Sequence, residues 1–475
     1  NLVFGNHAKE SSLIRADGGK ITVTGLLDVN TGKYNVGIIS AGLANDTGTV
    51  VTGSGETILA SGATLKVSGN NTNNAAAYVQ DKGTFINEGH IQITGAGTNG
   101  VITNKNIEKG SIVNKGTIEK ENNGAAVVLA GGDFSSTGSI ITKNGSAGIF
   151  ANKDVSGNEV VISGGGVTAR NGGIAFYAGA VSGSSPTEGH ITFKGSASSV
   201  TAATIENGGL MFYNDYTSAN GAAGTGYGQF TISGPTTINV KSGGTVFGFK
   251  SAAPMSGDFT NYLTNTFGGS LSNLNIVMPT GGTGTGNLFV LDHATLDLTG
   301  IKSAVDTINS GSSLSITGDS RFALLTDSIL NIDNNAVIGG AGSAYNLDDK
   351  DNLINQVSAV NSLVNITANT YINGTQNNQV LIKQVNRASQ AQNAIAVTNA
   401  GNINMYGSGS VSLYSVYGDI KNTGIITTSN GAIGILGLND TKIENALSGT
   451  MNVGNSGIGI AGLTYNGQDS AVLGY

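Results

Sequence analysis

The chain has 475 residues, of which 74 are Gly, 4 are Pro and none is Cys. No Gly-X-Y period accompanies the glycines, which excludes collagen, and a hydrophobic fraction of 39% is enough for a core, which argues against disorder. The net charge is −7 and no basic block stands out, so nucleic acid is not an expected partner.

Residues 1–82 are predicted to form short strands separated by turns. Apolar and polar residues alternate in Ile21–Gly25, Val36–Ile39 and Thr64–Val67, and a period of two is typical of strands with one buried face. The pairs Asp17-Gly18 and Ser61-Gly62 predict turns between them.

Residues 83–180 carry the strongest pattern, because one phrase recurs there. It reads Phe85–Ile91, Ile112–Ile118 and, more loosely, Phe134–Ile140, and the Gly residues of these copies are 27 and 22 residues apart. A fixed period in the twenties is typical of a solenoid, and the alternation within each phrase predicts strands. The phrase returns near the other end of the chain as Val397–Ile403 and Ile420–Ile426.

Asn-Gly pairs follow the first three phrases and predict turns: Asn99-Gly100, Asn123-Gly124 and Asn144-Gly145. Two or three short strands with their turns make one coil. A single coil cannot bury its apolar face, whereas a stack can, since the same inward position recurs about 4.8 Å along the stack. We therefore predict an all-β fold, a right-handed parallel β-helix with loop and short-helix insertions. Residues 1–180 are predicted to form β-helix coils.

Residues 181–290 are predicted to be β-helix coils with two projecting insertions, at about 213–228 and 251–270. All four Pro residues fall in this region, where longer connections separate the strand phrases. In the second insertion an i, i+3, i+4, i+8 spacing of apolar residues predicts a turn or two of helix. Aromatic side chains on loops often bind partners, so five of them are candidate binding residues. They are Tyr213, Tyr216, Tyr227, Phe259 and Tyr262.

Residues 291–394 are predicted to be coils with a short helical insertion at about 349–363. Four apolar residues there have the spacing of one helix face: Leu353, Val357, Val360 and Val364. Acidic residues stand at the front of this segment, where the helix dipole favours them. Residues 395–475 are predicted to resume regular coils that continue beyond the fragment.

The two ends suggest a processed or truncated piece of a longer protein. The chain starts at Asn1 without Met or a signal segment, and it stops inside a repeat-like phrase. No apolar run approaches the length of a membrane-spanning helix, so no direct membrane insertion is expected of this segment.

No residue pattern predicts catalysis, a cofactor or a metal site. Asp292 and His293 are adjacent, but neighbours on a strand point to opposite faces, so a surface pair is predicted. The four His residues have no metal-ligand spacing. We therefore expect no enzyme activity from this chain.

The repeated phrase resembles the passenger regions of bacterial type V autotransporters, in particular those of the large, RadD-like fusobacterial adhesins. The resemblance is carried by Asn87–Ile91, Asn114–Ile118 and Asn422–Ile426 and covers residues 83–180 and 395–475. It implies export through an outer-membrane barrel that is not in this chain, display on the surface of a Gram-negative bacterium, and adhesion to host cells or other bacteria.

The resemblance supplies no binding residues, and three functions stay open. The first is a monomeric adhesin for a surface protein or glycan, with the coils as a rigid stalk and the insertions as the binding surface. The second is a polysaccharide-cleaving β-helix enzyme. The third is the passenger of a pore-forming or vacuolating toxin.

Overall fold

A computed structural model describes most of the chain. The residues described are 2–3, 11–30, 35–43, 45, 47–71, 73–151, 159–178, 190–194, 200–216, 229–268, 270–279, 286–298, 320–333, 354–368, 370–374, 377–386 and 395–463. They fall into two compact units. Unit 1 comprises Asn1–Asn214, Gly224–Gly244 and Asn265–Ile276, and unit 2 comprises Asp215–Ala223, Thr245–Thr264 and Val277–Tyr475.

Unit 1 is built from three parallel sheets, named A, B and C. Sheet A contains β1 (Leu2–Val3), β4 (Leu26–Val29), β7 (Thr64–Val67), β10 (His90–Ile93), β13 (Thr117–Lys120), β16 (Ser139–Thr142), β19 (Gly166–Ala169), β22 (Thr201–Ile205), β25 (Thr236–Val240) and β28 (Leu274–Val277). Sheet B contains β2 (Ser12–Asp17), β5 (Val36–Ala41), β8 (Ala75–Gln80), β11 (Asn99–Asn104), β14 (Ala125–Ala130), β17 (Ala147–Ala151), β20 (Ile174–Ala178) and β23 (Leu210–Tyr216). Sheet C contains β3 (Lys20–Val23), β6 (Glu56–Leu59), β9 (Thr84–Asn87), β12 (Ser111–Asn114), β15 (Asp133–Ser136), β18 (Glu159–Ile162), β21 (His190–Phe193) and β24 (Gln229–Ile232).

Unit 2 also has three parallel sheets, named D, E and F. Sheet D contains β26 (Thr245–Ser251), β29 (Asn287–Asp292), β31 (Arg321–Thr326), β33 (Ile354–Val360), β36 (Gln379–Val385), β39 (Val411–Val416), β42 (Ile433–Leu438) and β45 (Ile458–Leu463). Sheet E contains β27 (Gly257–Asp258), β30 (Ala294–Asp297), β32 (Ile329–Ile332), β34 (Leu363–Ile366), β37 (Ile395–Asn399), β40 (Asp419–Asn422) and β43 (Ile443–Asn445). Sheet F contains β35 (Tyr371–Gly374), β38 (Asn402–Met405), β41 (Ile425–Thr428) and β44 (Thr450–Val453). Helix α1 (Phe259–Phe267) and a 3-10 helix (Ser270–Asn273) lie between β27 and β28.

The chain visits the sheets in turn and returns to each one strand further along. In unit 1, β2 lies in sheet B, β3 in C and β4 in A, and β5 then pairs with β2 in parallel. In unit 2, β36, β37 and β38 follow the same cycle through D, E and F before β39 pairs with β36. Both units are therefore parallel β-helices, which confirms the fold predicted from the repeated phrase.

Matching inward positions of successive coils form the core. In sheet B, Val101 is paired with Val127, Val127 with Ile149, and Ile149 with Phe176, and all four side chains are fully buried. Burying side chains of this size contributes about 1.5–3 kcal/mol each. The period of the sequence sets this register, because each coil places the same type of residue at the same inward position.

The Asn of the repeated phrase has a structural role. The Asn87 side-chain amide donates to Oδ1 of Asn114 at 2.7 Å, and both residues are buried. In unit 2, Asn399 donates in the same way to Asn422 at 2.8 Å, and Asn422 donates to Asn445 at 2.7 Å. A buried amide needs a partner, and the next coil supplies one only when the coils are in register.

The Asn-Gly turn predictions are confirmed at two of three positions. Asn123 and Asn144 have φ values of 56° and 53°, in the left-handed region typical of tight turns. The Asn99-Gly100 prediction is wrong, because both residues lie within β11. A Cβ on Gly100 would approach the carbonyl oxygen of Ala126 to 2.1 Å, so Gly is needed there for close packing of coils.

The helix predicted in the segment 251–270 is confirmed as α1. Asp258 caps it, because its Oδ1 accepts a hydrogen bond from the backbone N–H of Asn261 at 2.9 Å. The helix does not project, since Phe259, Tyr262 and Phe267 are all buried. The spacing that predicts the helix places its apolar residues on one face, and in the structure that face packs inward.

The helix predicted at 349–363 is wrong wherever the structure describes that segment. Ile354–Val360 forms β33, and Leu363 begins β34. Val357 and Ala359 are buried while Ser358 is only partly so, which is the alternation of a strand. A turn at Asn361, with φ of 48°, separates the two strands, and this interruption produced a spacing that imitates a helix. Residues 349–353 lie outside the described residues.

Candidate functional site

Two of the predicted binding residues lie in the core of unit 2. Phe259 is 0% exposed and Tyr262 is 1% exposed. The Phe259 ring packs edge-to-face on Phe249 at 5.3 Å and on Phe289 at 5.9 Å between centroids, and the Tyr262 ring lies 5.6 Å from that of Phe249. These two rings are therefore packing residues, and they do not form an exposed recognition surface.

The three predicted tyrosines of the first insertion have different positions. Tyr213 is partly buried in β23, one residue beyond the register pair of Phe212 with Phe176. Tyr216 is the last residue of that strand. Tyr227 lies outside the described residues. The structure thus places Tyr213 and Tyr216 on a strand at the start of the segment, and their role in binding stays a prediction.

An apolar column runs along the outer face of sheet B. Register pairs connect Tyr78 to Ile102, Ile102 to Val128, Val128 to Phe150, and Phe150 to Tyr177. The Phe150 and Tyr177 rings are stacked, with centroids 5.5 Å apart and planes inclined by 28°. This contact covers one face of each ring and stabilises the packing of neighbouring coils.

An open groove lies beside the polar side of α1. Its volume is about 430 Å³, which is within the range of small-molecule sites. Its lining residues are Ser256, Gly257, Asp258, Thr260, Asn261, Thr295 and Asp297. Except for Gly257, all of them carry polar side chains.

Strand pairing brings the groove residues together from two coils. Asp258 in β27 is the register partner of Thr295 in β30, and α1 begins directly after Asp258. The backbone N–H of Asp297 donates to the Thr260 hydroxyl at 2.8 Å, which connects β30 to the first turn of α1. Asn261 donates its amide to Oδ2 of Asp258 at 2.5 Å. The groove therefore presents two carboxylates, one amide and several hydroxyls on a framework of paired strands.

Sequence reasoning missed this groove, although part of its signal is local. Asp258 stands directly before the first apolar residue of the helical pattern, as an N-cap does. Thr295 and Asp297 are the polar members of the alternating phrase Ala294–Leu298. Their meeting depends on a register between strands about 40 residues apart, which no local pattern gives.

The expectation that Asp292 and His293 point to opposite faces is wrong, although both side chains are partly exposed, as a surface pair would be. His293 Nδ1 lies 2.5 Å from Oδ1 of Asp292, because His293 follows the end of β29 with a φ of 62° and its ring turns back. Its Nε2 is 3.9 Å from a carboxylate oxygen of Asp327. Lys250 also contacts Asp292, at 3.2 Å. The imidazole is thus held between two carboxylates at a corner of the coil.

Neither a metal cluster nor a membrane helix is found in the described parts of the chain. No group of three or more His, Asp or Glu residues is placed to hold a metal ion among the residues that the structure describes. In those same residues, no helix is both long enough and apolar enough to cross a membrane.

Comparisons with known proteins do not show a family. Neither a scan against models of protein families nor a search of curated proteins finds a match. Among solved structures, the chain is similar to the crystal structure of a TibC-catalysed, hyper-glycosylated fragment of TibA. The two are 11% identical, the alignment covers 93% of this chain and 99% of that one, and the TM-score is 0.18. A score this low supports no conclusion, so the fold assignment depends on the chain's own sheets.

Proposed function

We propose that this chain is a surface-displayed autotransporter passenger that acts as an adhesin for host cells or other bacteria, as in coaggregation or biofilm formation. The observation that supports it best is the buried ladder of Asn87 and Asn114, with its counterpart at Asn399 and Asn422. These are the Asn residues of the phrase that resembles autotransporter passengers. The repeat therefore holds successive coils in register, and a rigid extracellular stalk needs such stacking.

We propose that the groove beside α1 contacts the partner. Carboxylate, amide and hydroxyl groups are the side chains that hydrogen-bond sugar hydroxyls, and they line a groove large enough for one or two sugar rings. A surface glycan is therefore the partner that this groove fits best. The first insertion, with Tyr213, Tyr216 and Tyr227, stays part of the proposed recognition surface.

Adhesion of labelled bacteria and host cells to the immobilised chain tests both proposals. A double variant, Asn261→Ala with Asp297→Asn, should lower adhesion several-fold and leave the circular dichroism spectrum unchanged. Asp133→Asn is the matched control, since Asp133 is an exposed carboxylate of unit 1 that pairs with Lys109 at 3.1 Å. A Tyr213→Ala, Tyr216→Ala, Tyr227→Ala variant tests the first insertion separately.

The outcomes separate the two levels of the proposal. Equal adhesion by the groove variant and the control would show that the groove does not bind the partner, and the adhesin function itself would still stand. Absence of adhesion by the unmodified chain to every cell type tested would contradict the proposed adhesin function.

A polysaccharide-cleaving enzyme is the second candidate, and the groove gives it one supporting observation. Asp258 and Asp297 both line it, and most glycoside hydrolases use a pair of carboxyl side chains for catalysis. Incubation with a panel of polysaccharides, followed by a reducing-end assay, distinguishes the two functions. New reducing ends that vanish in Asp297→Asn would favour the enzyme, whereas binding without cleavage would favour the adhesin.

A further inference from the structure

Three Asn-Gly steps stack on one another at one corner of unit 1. They are Asn144-Gly145, Asn171-Gly172 and Asn207-Gly208. Their Asn φ values are 53°, 50° and 50°, and their Gly φ values are 75°, 77° and 79°. In each step the Gly N–H donates to a Gly carbonyl of the next coil, at 3.0, 3.1 and 2.9 Å in chain order.

Asn430-Gly431 in unit 2 has the same turn without that hydrogen bond. Its φ values are 56° and 83°, and Ala432 N–H closes the turn on the Ser429 carbonyl at 3.1 Å. Asn430 N–H donates to the carbonyl of Asn455 in the next coil at 2.7 Å. The Gly431 N–H, in contrast, has no hydrogen-bond partner among the described residues.

Asn123-Gly124 in unit 1 is a second step of this kind. Its φ values are 56° and 79°, and Asn123 N–H donates to the Asn144 carbonyl at 3.1 Å. Within the part of the chain that the structure describes, Gly124 N–H also has no partner. The Asn residues of all five steps are exposed, so access to water does not distinguish them.

This difference bears on the chemistry of Asn-Gly bonds. The backbone nitrogen after Asn can attack the side-chain Cγ, forming a C–N bond and expelling the amide nitrogen as ammonia. Water then opens the resulting succinimide to aspartate or isoaspartate. The attacking nitrogen must be free and the turn must open, so a hydrogen bond from that N–H to the next coil opposes the reaction.

We propose that Asn430 and Asn123 are sites of spontaneous deamidation, and that stacking protects Asn144, Asn171 and Asn207. The product carries a new negative charge, and in the isoaspartyl form the main chain passes through Cβ and Cγ of residue 430 or 123, which lengthens the backbone of that residue by one atom. That atom shifts the turn against the next coil, where Asn430 N–H now meets the Asn455 carbonyl. The modification therefore loosens the stack locally at two defined corners.

Peptide mass mapping of the whole chain, aged in mildly alkaline buffer, tests this proposal. In the folded protein, Asn430 and Asn123 should convert roughly five-fold faster or more than the three stacked steps, as the loss of one net hydrogen bond implies. Enzymatic methylation of isoaspartate should label the same two peptides. The chain aged in denaturant is the control, where all five steps should react at similar rates.

Two results would overturn the proposal. One is equal conversion of all five steps in the folded protein, which would mean that stacking gives no protection. The other is the persistence of Asn430 and Asn123 as amides while the denatured control reacts, which would mean that a free Gly N–H does not suffice.

Discussion

Lys120 illustrates how a single side chain is accommodated in this core. It occupies an inward position of sheet A between Ile93 and Thr142, and it is fully buried. Its ammonium group donates to the Gly95 carbonyl at 3.0 Å and to the Asn122 carbonyl at 3.4 Å. Burial disfavours the charged form and lowers the pKa of Lys120 from 10.5 to about 8.

The lowered pKa of Lys120 predicts a pH dependence of stability. Between pH 8 and 10.5 the unfolded chain binds this proton more tightly than the folded one, so the free energy of unfolding rises with pH across that window. Below about pH 8 both states are protonated and the effect is constant. The full rise is about 3 kcal/mol at 1.36 kcal/mol per pKa unit.

Urea unfolding of the wild type and of Lys120→Met at several pH values measures it. The unfolding free energy of the wild type minus that of Lys120→Met should rise as pH increases from 8 to 10.5. Lys120 titrates only in the wild type, whereas the other groups titrate in both proteins and cancel. A difference that stays flat over this range would show that Lys120 keeps an ordinary pKa.

The sequence predicts which way the Lys120 side chain points but not which groups surround its ammonium. Ile118 and Lys120 share one face of the alternating strand β13, so the pattern points Lys120 inward. Its charge argues for the opposite face. The conflict is resolved by carbonyl groups from the turn of its own coil and from the coil before, and sequence patterns do not report such contacts.

Helix α1 shows what spacing predicts at the scale of an element. Its apolar spacing predicts a helix, which is found, and the structure adds Asp258 as the N-cap. Spacing does not reveal where the apolar face goes. The face fills the core, with Phe267 stacked on Phe230 at 5.4 Å in unit 1 and Phe259 against Phe289 in unit 2.

The burial of α1 predicts the effect of truncating its aromatic residues. Phe259→Ala and Tyr262→Ala should each lower the free energy of unfolding by about 3–5 kcal/mol, since each leaves a cavity among packed rings. Asn265→Ala, on the exposed side of the same helix, should change it by about 0.5 kcal/mol or less. Chemical denaturation of the three variants provides the measurement. Unchanged stability of Tyr262→Ala, with loss of adhesion, would restore Tyr262 as a binding residue.

The segment 354–360 shows the limit of the same reasoning. The apolar residues from this segment onward imitate a helix face because a strand, a two-residue turn and a second strand happen to give that spacing. Parallel pairing of β33 with β31 and β36 decides the conformation. Such pairing involves residues far apart in sequence, so tertiary contacts override the local pattern.

The register of coils is the feature that recurs throughout the molecule. In unit 1, β10 pairs with β13 so that Gln92 faces Glu119, and in unit 2, β38 pairs with β41 so that Asn404 faces Thr427. The repeated phrase made this architecture predictable, because its period sets the coil length and its Asn needs a partner in the next coil. The groove beside α1 was not predictable, because it arises where the coil departs from the repeat.

Disulfide formation between engineered pairs measures this register directly, and the natural chain has no Cys to interfere. The paired double variants are Gln92→Cys with Glu119→Cys and Asn404→Cys with Thr427→Cys. The off-register controls are Gln92→Cys with Glu121→Cys and Asn404→Cys with Ser429→Cys. Side chains directly opposite each other on paired strands lie within reach of a disulfide, whereas a shift of two residues separates them.

Peptide mapping after mild oxidation of the folded protein should find a high yield of disulfide in both paired variants and little in either control. Equal yields in paired and off-register variants, or disulfides formed only in the controls, would contradict the stacked β-helix on which the proposed stalk and groove depend.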